Sequence, residues 1–386
     1  MRLLDRYIIR QFLLNTLIVS FVLTGLFVLV DFIIDVDEFL KAGRMWATTW
    51  SEDPSLLQLT LGTLWGLWDF YMPMVVLLFV YFCGLFVVAG AGFTFAGMIR
   101  TRELVAMVTS GMSMYRIAAP VIVTGVLVIA ATLPVQEYLV PKLAAKLARS
   151  KSHLKVSRIK TFPVHFVPDG QGSLLSAASF EAGQQVPRLR DVNIIERDPA
   201  TGSAARRIVA AEAFWNERRH GWDLNQGYAL RPASGTGIAG ASALPSADDI
   251  EVVEFYATPV TPDVLLAKRE SIYVRLLSLQ ELIRLRSNPA ADQAQVAQVM
   301  WSRFSMLLVN MLVLVMTLPL FLLREPGNML VQAAKVAGLA LGAWGGALVL
   351  FQVGSASSVV NPVTAAWLPV ALYLPLTAGL LLTVRT

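Results

Sequence analysis

The ionisable residues able to do chemistry gather in few places. Asp31, Asp35, Asp37 and Glu38 are followed at once by Lys41 and Arg44, and Arg303 stands at the head of a later apolar run. Lysine and arginine so placed can hold phosphate oxygens through charge-assisted hydrogen bonds, or they can anchor the chain at a membrane interface, which spacing alone favours. An enzymatic reading of the acidic cluster needs a histidine or a metal-type partner set beside it. His153, His165 and His220 all lie far along the chain, without ligand spacing. The sequence also lacks G-x-x-x-x-G-K-[ST], H-E-x-x-H, C-x-x-C and G-x-S-x-G. No catalytic residue, metal site or cofactor is therefore assigned, and any energy input is expected to come from another chain.

Two further patterns concern contact. Leu104, Met107, Val108 and Gly111 recur at i, i+3, i+4 and i+7, which predicts a short amphipathic helix near 101–111. Glu103 falls in its first turn, where a carboxylate suits the helix dipole, and Gly111 is placed to end it. Such a helix could plug into a motor protein or be a plain hairpin loop. Later, Ala334, Gly338, Gly342 and Gly346 recur every four residues. This small-residue stripe lets another helix approach closely, from this chain or from a partner.

The elements that position these residues are mostly membrane helices. Apolar residues make up 55% of the chain and charged ones only 15%, with a mean hydropathy of +0.59. Soluble domains carry about 25% charged residues, so the deficit points to a bilayer. The net charge of +5 comes without a basic stripe interleaved with aromatics, so no nucleic-acid partner is expected. Six spans are predicted, at 12–30, 71–99, 117–135, 304–323, 331–353 and 366–384, each long enough to cross a hydrocarbon core, which takes roughly 20 residues in helix. The first is expected to stay as a signal anchor. The single cysteine, Cys83, lies in an apolar run, which excludes an internal disulfide.

Arg2, Arg6, Arg10, Arg100, Arg102, Arg116, Arg324, Lys335 and Arg385 all fall on one side of these spans. The positive-inside rule makes that side, and both termini, cytoplasmic. Between spans three and four lies a polar block whose strands are expected at 156–167, 173–180, 191–196, 208–215, 222–230 and 250–256, separated by turn signals such as Pro168-Asp169-Gly170. Residues 234–249 read as a mobile Gly/Ala/Ser loop, and 278–286 as a short helix leading into span four. The expected architecture is an α-helical membrane protein with six transmembrane helices and an inserted all-β, jellyroll-like extracytoplasmic domain between helices 3 and 4. Its parts are 1–136, 137–298 and 299–386. Trp46, Trp50, Trp65, Trp68, Trp301 and Trp367 fit an aromatic belt at the outer interface.

Several stretches resemble one family over nearly the whole length. Leu4-Asp5-Arg6-Tyr7-Ile8, Asp37-Glu38-Phe39-Leu40-Lys41-Ala42-Gly43, the segment from Arg102-Glu103-Leu104 to Gly111-Met112-Ser113, Ser278-Leu279-Gln280-Glu281-Leu282 and Met300-Trp301-Ser302-Arg303-Phe304 are similar to the LptF/LptG (YjgP/YjgQ) permeases of lipopolysaccharide export. The resemblance implies an inner-membrane heterodimer with a second six-helix permease, seated on a cytoplasmic ABC ATPase dimer. It implies that lipopolysaccharide or a similar anionic lipid enters from the outer leaflet and leaves through a periplasmic β-jellyroll toward bridge proteins. By this likeness Arg102, Glu103, Leu104, Met107 and Gly111 belong to a coupling helix, and Lys41 faces the lipid's phosphates. Span five would line a lateral gate with span one of the partner. Asp35 stands where some relatives carry a second lysine. Two other readings are a mechanotransmission subunit that moves no lipid itself and a membrane-bound lipid-modifying enzyme.

Overall fold

The computed structural model describes residues 3–37, 56–147, 161–170, 172–182, 186–197, 203–230, 250–269, 271–322, 329–356 and 361–382. Six helices among them are long and apolar enough to cross a bilayer, and an antiparallel β-sheet is inserted between the third and fourth. In chain order the membrane part comprises α1 (Leu3–Ile34), α2 (Leu56–Arg100), the short α3 (Glu103–Thr109) and α4 (Met114–Ala130). α4 continues through Thr132–Pro134 and a π-helical turn, Val135–Leu139, into α5 (Val140–Leu147). After the insert come α9 (Gln293–Leu322), α10 (Met329–Ala356) and α11 (Pro362–Leu382). Helices are the form in which a backbone satisfies itself in hydrocarbon.

The predicted spans lie on these helices, apart from residues 323, 383 and 384, which are outside the described residues; three helices begin well before their spans, α9 by eleven residues at Gln293. α1 begins nine residues before position 12, and α2 passes Pro73 and extends back to Leu56. Trp65 and Trp68 are therefore on a helix, more than half exposed. The predicted span starts at 71, yet the helix runs on through Pro73, whose freed carbonyl neighbouring groups can take up in a membrane span.

Close approach between helices is set by glycines. A Cβ added at Gly84 of α2 would meet Asn310 of α9 at 2.3 Å, and one at Gly125 of α4 would meet Leu314 of α9 at 2.6 Å. Around these crossings Phe12, Val87, Ala91, Phe95, Ile117, Val121 and Leu314 are fully or almost fully buried. The helices thus interlock by small-against-large packing, the means available where lipid removes the hydrophobic drive between them.

The chain divides into two units, Met1–Lys155 with Leu276–Leu279 and Ala297–Thr386, and Val156–Arg275 with Gln280–Val296. The second is built on one eight-stranded antiparallel sheet: β1 (Thr161–Pro168), β2 (Leu174–Glu181), β3 (Arg188–Arg197), β4 (Ala204–Asn216), β5 (Gly221–Asn225), β6 (Tyr228–Leu230), β7 (Ile250–Val252) and β8 (Phe255–Ala257). Neighbours run β1-β2-β3-β4-β5-β8, while β6 pairs with β4 and β7. The long β4 pairs with β6 at 207–209 and with β5 at 212–216, so two arms branch from one strand. This is why the predicted strands at 222–230 and 250–256 each appear as two. Trp222 is fully buried, its indole N–H donating to the Val260 carbonyl at 3.0 Å, with Phe180 set edge-on against it. Three short helices, α6 (Pro262–Arg269), α7 (Ser271–Leu276) and α8 (Leu279–Arg286), follow the sheet. The predicted loop 234–249 lies outside the described residues.

Candidate functional site

The membrane unit holds an apolar cavity of about 770 Å³. Its walls come from α1 (Leu23, Thr24, Phe27), one face of α2 from Leu78 to Ile99, Phe321 of α9, and α10 from Ala333 to Leu341. Thr24 is the one hydroxyl-bearing residue among those lining it, and no ionisable side chain is among them. Such a wall is suited to hydrocarbon. Aromatic contacts stiffen it: Phe82 stacks on Trp344 at 4.8 Å, and Phe95 on Phe321 at 6.0 Å. Sequence reading missed this site. Its signal was present as Leu78, Phe82, Leu85, Phe86, Ala89, Phe93 and Ala96, a stripe at helical spacing inside an all-apolar run. In a span that is apolar all round, such a stripe does not stand out.

The predicted loop helix is present as α3. Leu104 and Met107 are buried, Val108 is half-buried, and Arg102, Val105, Ala106 and Thr109 are exposed. Gly111 ends the helix at φ 87°. Its N–H donates to the Val108 carbonyl at 3.0 Å and that of Met112 to Met107 at 3.2 Å, the paired bonds of a Schellman cap. Its part is played by backbone and not by the apolar face. Arg102 enters the helix at φ 62°, a left-handed conformation costing a non-glycine residue about 1–2 kcal/mol. The Glu103 carboxylate accepts from the Tyr7 hydroxyl at 3.1 and 3.3 Å. Nearby, Arg116 of α4 pairs with Asp5 of α1 at 2.9 Å.

The small-residue stripe of α10 faces out of this chain. Val336, Ala340, Ala343 and Ala347 form the buried face. Ala334, Gly338 and Gly342 are exposed, and a Cβ on either of those glycines would meet nothing within 4 Å. Gly346 is the exception, with the Tyr373 hydroxyl 2.8 Å from where its Cβ would stand. That hydroxyl donates to the Ala343 carbonyl at 2.8 Å and so holds α11 on α10.

Arg303 is 8% exposed. Its guanidinium donates to the Leu277 carbonyl and stands 3.9 Å from Glu137. Glu137, in the π-helical turn, accepts the Leu279 N–H at 2.8 Å. A π-helical turn re-aims side chains within an otherwise regular helix, and here it presents Glu137 to the junction of α7 and α8. Asp31, at the far end of α1, accepts from the Tyr71 hydroxyl at 2.8 Å. Lys41 and Arg44 lie outside the described residues, as do Trp46 and Trp50. No group of His, Cys, Asp and Glu among the described residues is arranged to hold a metal ion.

Comparison with known proteins agrees with this arrangement. No individually curated protein matches the chain. The family described as lipopolysaccharide export system permease LptF/LptG matches residues 6–383, which takes in every span, the β insert, the loop helix and the cavity. The chain belongs to the LptF/LptG family of lipopolysaccharide export permeases.

Proposed function

We propose that this chain is one permease of an ABC-type exporter that takes lipopolysaccharide, or a similar anionic lipid, from the outer leaflet of the inner membrane to a periplasmic bridge. The observation that carries this reading is the 770 Å³ cavity between α1, α2, α9 and α10, lined by apolar residues apart from Thr24. Its volume is within the range of ligand pockets, about 300–1,000 Å³, and its chemistry is that of acyl chains. The short basic loops support a reading in which both termini are cytoplasmic and the β unit is periplasmic. ATP is hydrolysed by a cytoplasmic ABC ATPase dimer, which meets the chain at Arg102, Glu103 and the rest of α3. A second six-helix permease covers the open face of α10 at Ala334, Gly338 and Gly342. Lys41 and Arg44 supply charge to head-group phosphates. Arg303 adds to that field at longer range, since its guanidinium already holds Glu137 and the Leu277 carbonyl.

The test is a detergent pull-down of the full chain with mass spectrometry, joined to photocrosslinking from positions 27 and 85 of the cavity wall. A co-purifying P-loop ATPase and second permease, with anionic lipid crosslinked at both positions, are expected. Partners without lipid adducts would leave a chain that relays force and carries nothing.

A further inference from the structure

We infer that the first turns of α1 form the arm through which α3 acts on the cavity, with Tyr7, Asp5 and Arg116 as positioning residues. Two ties join this end of α1 to its neighbours: Tyr7 to the Glu103 carboxylate at 3.1 Å, and Asp5 to Arg116 at 2.9 Å. They bridge residues 96 and 111 apart in sequence. Beyond them α1 stays fastened to α2. Ile8 and Phe12 are fully buried, the Asn15 amide donates to the Thr94 hydroxyl at 2.9 Å, and Tyr71 holds Asp31 at 2.8 Å. The outward side of α1 is bare: Leu17, Phe21 and Leu26 are each more than half exposed. A displacement of α3 is therefore delivered to α1 at its first turns, and α1 carries it along its length to Leu23, Thr24 and Phe27 in the cavity wall. Tyr7 and Arg116 are not among the residues that line the cavity, so they act through Glu103 and Asp5.

This inference rests on reading α3 as the face an ATPase pushes, but the linkage is a property of the chain alone. It is tested on the purified full chain carrying Cys83→Ala, with spin labels on Val105→Cys and Phe21→Cys, by pulsed dipolar spectroscopy. A narrow distance distribution is expected with the native ties. It should broaden in the double variant Tyr7→Phe/Arg116→Asp, and narrow again when Asp5→Arg is paired with Arg116→Asp and Tyr7 is kept. In the reconstituted complex, lipid released per ATP should fall about fivefold in Tyr7→Phe, the scale of one partly exposed hydrogen bond to a charged acceptor. ATPase binding and hydrolysis should not change, and the charge swap should recover most of the release lost in Arg116→Asp. Unaltered distances in Tyr7→Phe/Arg116→Asp would overturn the linkage whatever the complex does. Altered distances with normal lipid release per ATP would overturn its role in coupling. A native complex that released no lipid would count against the functional reading, while the distances still decided the linkage.

Discussion

Thr16 of α1 occupies the space that a side chain on Gly90 of α2 would need. A Cβ on Gly90 would lie 2.7 Å from the Thr16 Cα and 2.1 Å from its Oγ1. Only a residue without a side chain lets the two backbones come this near. One turn on, Thr94 donates to the Gly90 carbonyl at 2.7 Å and accepts from Asn15 at 2.9 Å. The crossing is thus sealed by a short polar chain beside the contact.

Gly90→Leu should force α1 off α2 and lower the stability of the detergent-solubilised chain by about 2 kcal/mol or more, the scale of overpacking a tight core. Gly25→Leu on α1, where a Cβ meets nothing within 4 Å, is the control. Thermal unfolding of the two variants checks this; equal midpoints would mean the crossing yields without cost.

The contrast between Gly90 and Gly342 shows how far the sequence could be read. The four-residue stripe on α10 is visible by eye, and its existence was legible; which way it faces was not, because Ala340, Ala343 and Ala347 make a second small-residue face on the same helix. Gly84 and Gly90 are six residues apart and form no repeat, so the crossings that hold the chain together left little pattern. The spans, the β insert and the loop helix were readable because each has a period or a composition of its own. The Tyr7–Glu103 and Glu137–Leu279 contacts join residues 96 and 142 apart, and no spacing rule reaches that far. Loop helix α3 illustrates both sides: its buried Leu104 and Met107 followed the period, whereas the partner of Glu103 came only from tertiary structure.

Gly342→Leu should leave the isolated chain as stable as before, because a side chain there enters open space. It should instead weaken association with the second permease. Thermal unfolding of the purified chain and co-purification of the partner report the two effects separately. Cysteine pairs on this stripe that crosslinked only within the chain would show that the face closes on its own neighbours.

Glu103→Ala removes the acceptor of the Tyr7 hydroxyl and the first-turn charge of α3, with Leu104 and Met107 left in place. The fold should therefore survive, while lipid release driven by the ATPase drops roughly five- to tenfold, as for one lost, partly exposed hydrogen bond. Release assays at matched membrane levels check this. Full release with normal ATPase association would take Glu103 out of the coupling.

Arg303→Met separates anchoring from lipid binding. The native side chain is 8% exposed, and its guanidinium donates to the Leu277 carbonyl and sits 3.9 Å from Glu137. The methionine stem can fill the same space but offers no donor, so the Leu277 carbonyl loses its partner and Glu137 keeps only the Leu279 N–H among the contacts described above. An unmade hydrogen bond at a buried group costs about 1–3 kcal/mol, and Glu137 is exposed enough for water to offset part of its share. A fall in the thermal midpoint is the expected result. Lys41→Glu makes the complementary change: it should reduce photocrosslinking of anionic lipid to α1, because a like charge now faces the phosphates, while the thermal midpoint stays put. If Arg303→Met instead abolished lipid crosslinking at an unchanged midpoint, Arg303 would be a direct phosphate ligand and its contact with Leu277 incidental.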